Sequence, residues 1–291
     1  MSIVVTGAAG QLGRLVAEEL LDRVPADELV FVTRHPEALD HLAERCADIR
    51  HGDFDEPQTL PAAFAGGERM LLISTLSIGS RVAQHRAAIQ AAKQAGVGHI
   101  VYTSFPKPEP THPVGPIATE HGETEAILHD SGLGWTVLRN ATFAELQIQP
   151  GALAVAGGKL YTNAGDGRIA SVSRRDAARA AAAVLTSDGH AGRTYDITGP
   201  EALAQEELAD LLADVSGRPV KLVRVGDRTL TWGLTRAGAP KQVAKAIVAF
   251  GKAVREGYYD IVDPAYTSLT GLEPLSLRDV LIQHRGDLVA A

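Results

Sequence analysis

Cysteine is almost missing from this sequence: Cys46 is the only one among 291 residues. A single cysteine cannot form an internal disulfide, and no cysteine–histidine spacing in the chain matches a zinc site. The sequence therefore excludes a disulfide-stabilised fold, and we expect no metal. A chain of this kind fits the reducing cytoplasm, which is where we expect the protein.

Long hydrophobic runs and clusters of positive charge are missing too. No run of about 18 uncharged apolar residues occurs, and the apolar start at Ile3 has no basic segment before it. We therefore expect neither a membrane-spanning segment nor a secretion signal. The net charge is −7, without a basic stripe that could follow a phosphate backbone. We expect neither nucleic acid nor a membrane as a direct partner.

The chain does contain a regular alternation of short β-branched runs with longer amphipathic segments, which is typical of βαβ units. The predicted strands are residues 2–6, 29–33, 48–51, 69–74, 99–103, 135–138 and 194–198. Helices are predicted at residues 11–23 and 175–185, the second capped by Ser173 or Asp176. The pattern predicts an α/β fold: a Rossmann-type doubly wound parallel sheet with a small, mostly helical C-terminal lobe.

Length and composition allow one large domain with a smaller lobe, because 45% of the residues are hydrophobic. We predict a Rossmann domain over residues 1–150, to which residues 170–198 return, and a smaller substrate or lid lobe over residues 199–291. Residues 105–116 include five prolines. They predict a stiff loop beyond the carboxyl end of a strand, where open α/β sheets bind their ligands.

The segment Thr6-Gly7-Ala8-Ala9-Gly10-Gln11-Leu12-Gly13 follows the first predicted strand and opens the first predicted helix. Glycines at this spacing allow a tight turn and a close approach of the main chain to a pyrophosphate. Free N–H groups at the helix start favour the anion. The alternative is a βα turn without a ligand, but the flanking strand and helix favour a dinucleotide.

The end of the second predicted strand usually decides between NAD and NADP, because an acidic residue there binds the ribose hydroxyls of NAD. This chain has Arg34 instead, 21 residues after Gly13. Its guanidinium can pair with a 2′-phosphate, so we predict NADP(H), although a solvated surface arginine stays an alternative. Asp53 follows the third predicted strand and could bind the adenine amino group or simply cap a helix.

These residues and four further segments make the chain similar to the NmrA-like group of atypical short-chain dehydrogenase/reductases. The segments are Leu71-Leu72-Ile73-Ser74, Tyr102-Thr103-Ser104, Leu138-Arg139-Asn140 and Asn163-Ala164-Gly165-Asp166-Gly167. Within that group the chain most resembles the type-2 NAD(P)H:quinone oxidoreductases and the triphenylmethane reductases. The resemblance spans nearly the whole chain and thins out after Thr198. It implies a Rossmann domain, a small C-terminal lobe and NADP(H) in the cleft.

The resemblance also assigns roles to residues. The cofactor-binding residues it implies are Thr6, Gly7, Gly10, Gln11, Leu12, Gly13, Arg34, Asp53, Phe54, Ser74, Thr75, Thr103 and Asn140. It places the glycine turn along the pyrophosphate, Asp53 and Phe54 beside the adenine, Ser74 and Thr75 beside the nicotinamide ribose, and Tyr102, Thr103 and Asn140 near the nicotinamide. Phe143 is the predicted substrate contact, stacking on a flat acceptor ring, with a core position as the alternative.

Most short-chain dehydrogenases use a Tyr-x-x-x-Lys pair, whose lysine lowers the pKa of the tyrosine. None of the six tyrosines here has a lysine four positions later. His121 and Glu125 share a helix face at the equivalent helix, so the carboxylate could raise the pKa of the imidazole and make it a general acid. An ordinary surface pair is the alternative. The candidate catalytic residues are His121, Tyr102 and Asn140.

A quinone accepts a hydride readily, and its reduced oxygens, with a pKa of roughly 10, can take protons from solvent. The missing pair is therefore compatible with hydride transfer from NADPH to a quinone or a similar conjugated aromatic. Two alternatives stay open: a non-catalytic NADP(H)-binding redox sensor, and a reductase of a specialised biosynthetic intermediate. The sequence leaves open whether the protein forms a homodimer.

Overall fold

A seven-stranded parallel sheet forms the centre of the computed structural model, which describes residues 2–290. The ends of the predicted domains, Met1 and Ala291, lie outside the described residues. The strands are β1 Ile3–Thr6, β2 Leu29–Thr33, β3 Asp48–His51, β4 Arg69–Leu72, β5 His99–Ser104, β6 Gly134–Asn140, β7 Thr142–Phe143, β8 Lys159–Thr162, β9 Arg168–Val172, β10 Arg193–Ile197, β11 Ala202–Ala204 and β12 Lys221–Arg224.

Thirteen α-helices surround the strands within residues 2–290. They are α1 Gln11–Leu21, α2 Asp40–Ala43, α3 Leu60–Phe64, α4 Arg81–Gln94, α5 Pro116–His129, α6 Ile148–Gly157, α7 Arg174–Thr186, α8 Gln205–Ser216, α9 Asp227–Arg236, α10 Lys241–Arg255, α11 Ala265–Thr270, α12 Leu277–Gln283 and α13 Arg285–Val289. Within the described part of the chain no helix is long and apolar enough to cross a membrane.

The strand order in the large sheet is β3-β2-β1-β4-β5-β6-β10, with every neighbouring pair parallel. The order reverses between β1 and β4, so the connections on the two sides run to opposite faces and leave a crevice at the carboxyl ends of these strands. The predicted Rossmann-type fold is confirmed. The crevice is where such sheets bind their ligands.

Helices cover both faces of the sheet, which explains why β1 and β2 are buried along their whole length. One core packs the sheet against α1 and α7, and the other packs it against α3, α4 and α5. Helix α7 contains six buried alanines between Ala177 and Ala183, and such small side chains let α1 pack closely against it. Of the two predicted caps, Ser173 is the N-cap: its Oγ accepts from the Asp176 N–H at 2.9 Å.

A third core lies outside the large sheet, between α6, α8, α12 and α13. Helix α6 and strand β8 precede the predicted lobe boundary at residue 199, whereas α8, β12 and α13 follow it, and β8 pairs with β12. Helix α11, which follows the boundary, packs back on α7 and β10 of the large sheet. The division of the chain into domains stays a prediction.

Candidate functional site: the crevice at the carboxyl ends of the sheet

The β1–α1 turn has a geometry that only glycines permit. Gly7 has a φ of +63°, in the left-handed region that other residues avoid. The Gly10 N–H donates to the Gly7 carbonyl at 2.9 Å. A Cβ on Gly13 would lie 2.4 Å from that same carbonyl oxygen and 2.7 Å from Ala8 Cα, so the helix can pack on the turn only without a side chain at this position.

The start of α1 is open to an anion. Gly10 is the N-cap, no side chain caps the helix, and the first turn contains no acidic residue. Gly7, Gly10 and Gln11 are exposed, so the unpaired N–H groups of the first turn and the positive end of the helix dipole face solvent. The Leu12 side chain is buried in the core, which leaves its main chain to face a ligand. These features fit a pyrophosphate.

Thr6 joins the two strands that flank the crevice. Its hydroxyl donates to the Leu71 carbonyl at 3.1 Å and accepts from the Ile73 N–H at 3.1 Å. The side chain is only 1% exposed. Thr6 therefore fixes the floor of the crevice between β1 and β4.

Arg34 lies just beyond β2 and is exposed. Its side chain makes no hydrogen bond or ion pair with any other residue between 2 and 290. Its neighbour His35 pairs with Glu37 instead, with Nδ1 and Oε1 3.3 Å apart. The guanidinium is free to receive a phosphate, which fits the predicted 2′-phosphate site.

Asp53 and Phe54 follow β3 as predicted, but both have local partners. The Asp53 carboxylate accepts from the Asp55 N–H at 2.9 Å, and the Asp53 N–H donates to Thr59 Oγ1 at 3.0 Å. Phe54 is half-buried and meets the edge of His85, with ring centroids 6.3 Å apart. Asp53 therefore shapes its own turn, and its adenine-binding role stays a prediction.

Ser74, which the resemblance placed beside the nicotinamide ribose, and Thr103, which it placed near the nicotinamide, lie side by side, Ser74 just beyond β4 and Thr103 near the end of β5. The Ser74 N–H donates to Thr103 Oγ1 at 2.9 Å, and Thr103 Oγ1 donates to Ser74 Oγ at 3.4 Å. Thr75 follows with its hydroxyl bound to Gln84 Oε1 at 2.8 Å. The structure thus brings Ser74 and Thr103 into contact, with Thr75 next in the loop after β4.

His85 holds the main chain at Thr75. Its Nε2 accepts from the Thr75 N–H at 3.1 Å, and its Nδ1 lies 3.1 Å from Thr124 Oγ1, whose own proton goes to the Glu120 carbonyl. A backbone N–H can only donate, so Nε2 must be unprotonated and the ring neutral. Burial, followed by the charge of Arg81, lowers the pKa of His85 from 6.5 to about 3, in agreement with this geometry.

A buried ion pair clamps the same loop. Arg81 Nε donates to the Thr75 carbonyl at 2.8 Å, and Arg81 Nη1 lies 3.3 Å from Glu120 Oε2. The other carboxylate oxygen of Glu120 accepts from the Gly79 N–H at 2.6 Å. Sequence reasoning missed this clamp, because its two charges lie on different helices and no local spacing links them.

Tyr102 and His121 are brought together, but inside the protein. The Tyr102 hydroxyl lies 2.8 Å from His121 Nδ1, and the two side chains are 0% and 5% exposed. Burial raises the pKa of Tyr102. Burial, and then the charge of Arg81, holds the pKa of His121 well below its usual value. This burial supports a structural role, and a catalytic role for either residue stays untested.

The expectation that Glu125 raises the pKa of His121 is wrong. Glu125 instead receives two hydrogen bonds from Arg139, at 3.0 and 2.7 Å, and one from Ser104 at 2.5 Å. Glu125 is 5% exposed. Its carboxylate oxygens accept hydrogen bonds from side chains of strands β5 and β6, not from His121. The hydrogen bonds that Arg139 donates to Glu125 raise the pKa of Arg139, so the guanidinium stays charged.

Asn140 ends β6 with a polar atom that lacks a partner. Its side chain is 7% exposed, and its Oδ1 has no hydrogen bond within the described residues. An unpaired buried amide oxygen is unfavourable unless a ligand supplies a donor. Phe143, three residues on, is half-buried against the first core and has the Arg174 guanidinium 5.2 Å from its ring centroid. Phe143 as a substrate contact stays a prediction.

Comparison with known proteins agrees with this geometry. A sequence model of the family described as NAD(P)H-binding matches residues 7–188. Quinone oxidoreductase 2 of Escherichia coli K12 is 39% identical over 242 residues, which cover 83% of this chain and 84% of the relative.

Solved structures extend the similarity. The NADPH complex of the E. coli quinone oxidoreductase QOR2 is 35% identical, with a TM-score of 0.91 over 97% of this chain and 99% of the other. The triphenylmethane reductase of Citrobacter sp. with NADP(H) is 34% identical, with a TM-score of 0.89 over 98% of this chain and 100% of the other. The predicted similarity to the type-2 quinone oxidoreductases and to the triphenylmethane reductases is confirmed. The chain belongs to the NAD(P)H-binding family.

Proposed function

We propose that the protein is an NADPH-dependent reductase of quinones or similar conjugated aromatic acceptors. The observation that carries the proposal is the exposed, uncapped start of α1 together with the unpaired Arg34. One site suits a pyrophosphate and the other a 2′-phosphate. The similarity to a quinone reductase and a dye reductase supports the acceptor class.

The residues at the strand ends would orient the two reactants. Asn140 Oδ1 needs a donor, which an amide group of the cofactor can provide. When bound, the reduced nicotinamide supplies the hydride. Tyr102 and His121 are enclosed, so we propose that solvent protonates the reduced acceptor, as phenolic oxygens with a pKa of roughly 10 allow. The chain then contributes the relative position of the two reactants.

The direct test is the oxidation of NADPH by purified protein, followed by absorbance in the presence of a simple benzoquinone or naphthoquinone. We expect a rate well above the non-enzymatic background and saturable in both reactants. Binding of NADPH by calorimetry should be measured on the same sample. Background rates with every such acceptor would overturn the proposed activity, and background rates with tight NADPH binding would favour the sensor alternative.

A further inference from the structure

Helices α9 and α10 pack against each other as a hairpin, residues 227–255, that is anchored by few side chains. Among its residues only Leu230, Ala244, Gly251, Ala253 and Val254 are buried. Three large apolar side chains are open to water instead: Trp232 is 63% exposed, Val243 47% and Ile247 41%. An element with so much exposed apolar surface is expected to have a partner.

The hairpin also concentrates positive charge. It holds six cationic side chains and one carboxylate, a net charge of +5 in a chain whose net charge is −7. The carboxylate, Asp227, already pairs with Arg255. Four cations make no ion pair within residues 2–290, namely Arg228, Arg236, Lys241 and Lys245. The surface is therefore matched to an anionic partner.

The cations and the tryptophan share helix faces. Arg228, Trp232 and Arg236 follow one another at intervals of four on α9, and the Arg236 guanidinium lies 5.5 Å from the Trp232 ring centroid. Lys241 and Lys245 repeat that interval on α10. Tryptophan beside basic side chains on a helix is the composition of surfaces that rest on the headgroups of a bilayer.

Although the sequence as a whole predicts no membrane partner, we propose that this hairpin binds the surface of an anionic phospholipid bilayer, a role that does not depend on the proposed reaction. Lipid phosphates would pair with the free cations, while Trp232, on the same face as Arg228 and Arg236, enters the boundary between headgroups and acyl chains. Carboxylates elsewhere in the chain repel the anionic bilayer only weakly, since salt screens charges that are more than about 8 Å away. A second copy fits poorly, because a two-fold contact would bring the same cations together.

Vesicle sedimentation tests the proposal with the full-length protein. We expect it to sediment with equimolar phosphatidylcholine and phosphatidylglycerol and to stay in solution with phosphatidylcholine alone. The double variant Lys241→Glu with Lys245→Glu should lower the affinity at least tenfold, since each basic residue near such a surface contributes about 1 kcal/mol. The matched control Arg45→Glu with Arg86→Glu changes the net charge equally at two exposed arginines of the Rossmann part and should bind normally.

Fluorescence identifies the inserted residue. The chain has two tryptophans, Trp135 and Trp232, and Trp135 is partly buried against His129. In Trp135→Phe, anionic vesicles should shift the emission of Trp232 to the blue. The proposal is overturned if the protein does not bind anionic vesicles, or if both double variants sediment equally. It is also overturned if the protein binds without a blue shift and a soluble polyanion such as heparin abolishes that binding.

Discussion

The two sides of the crevice are built on different principles. On the β1–β2 side the exposed surface is mostly main chain, from the glycine turn and the free start of α1, with one unpaired side chain, the Arg34 guanidinium. On the β4–β5–β6 side, charged side chains are buried and pair with one another, as Arg81 does with Glu120 and Arg139 with Glu125. The first side is poised to receive charge from a ligand, whereas the second has its charges already satisfied and holds its strands and loop in place.

The largest effect should come from filling the glycine turn. Gly13→Val places side-chain carbon against two backbone atoms that cannot move aside, which should cost about 3 kcal/mol of stability or more and abolish NADPH binding. Gly13→Ala allows a matched comparison with Gly157→Ala, where an added Cβ meets nothing within 4 Å. Urea denaturation and calorimetric titration measure both effects. Equal behaviour of the two alanine variants would remove the steric argument.

The second largest effect should come from removing the ion pair between Glu125 and Arg139, on the opposite side of the crevice. Glu125→Ala leaves the Arg139 guanidinium without its carboxylate between β5 and β6, and should lower the free energy of unfolding by about 3 kcal/mol. Glu123→Ala, two residues earlier on the exposed face of α5, should change it little. Urea denaturation compares the two. Similar losses would show that Glu125 contributes no more than a surface carboxylate.

This contrast also explains which features could be predicted from the sequence. The β1–α1 turn is determined by residues within eight positions of one another, so spacing alone predicts it. His121 and Glu125 share a helix face as predicted, yet their partners come from β5 and β6, at Tyr102 and Arg139. Which charges meet in the interior depends on the packing of distant elements, which helical periodicity does not encode.

Arg34 tests the open side in a ligand-specific way. Arg34→Ala should raise the dissociation constant of NADPH about thirtyfold, since a charge-assisted hydrogen bond contributes about 1.5–3 kcal/mol, and leave that of NADH unchanged. Arg45→Ala removes another exposed arginine and serves as the control. Calorimetric titration with NADPH and with NADH measures both dissociation constants. A loss of equal size for NADPH and NADH would show that Arg34 does not contact a 2′-phosphate.

The smallest effect concerns His85 and pH. Its folded pKa of about 3 lies below the ordinary 6.5, so the folded state binds fewer protons than the unfolded state, and stability falls as the pH drops below 6.5 towards 3. Between pH 7.5 and 5.5 this group alone should reduce the free energy of unfolding by about 1.4 kcal/mol.

Urea denaturation at the two pH values isolates that contribution. His85→Gln cannot titrate and should lose this part of the pH dependence, whereas His41→Gln, at an exposed position, should retain it. NADPH affinity should not change through His85 over this range, because a folded pKa of about 3 keeps Nε2 unprotonated and able to accept from the Thr75 N–H beside the proposed ribose site. If wild type and His85→Gln lose stability equally on acidification, the neutral imidazole does not hold this side of the crevice.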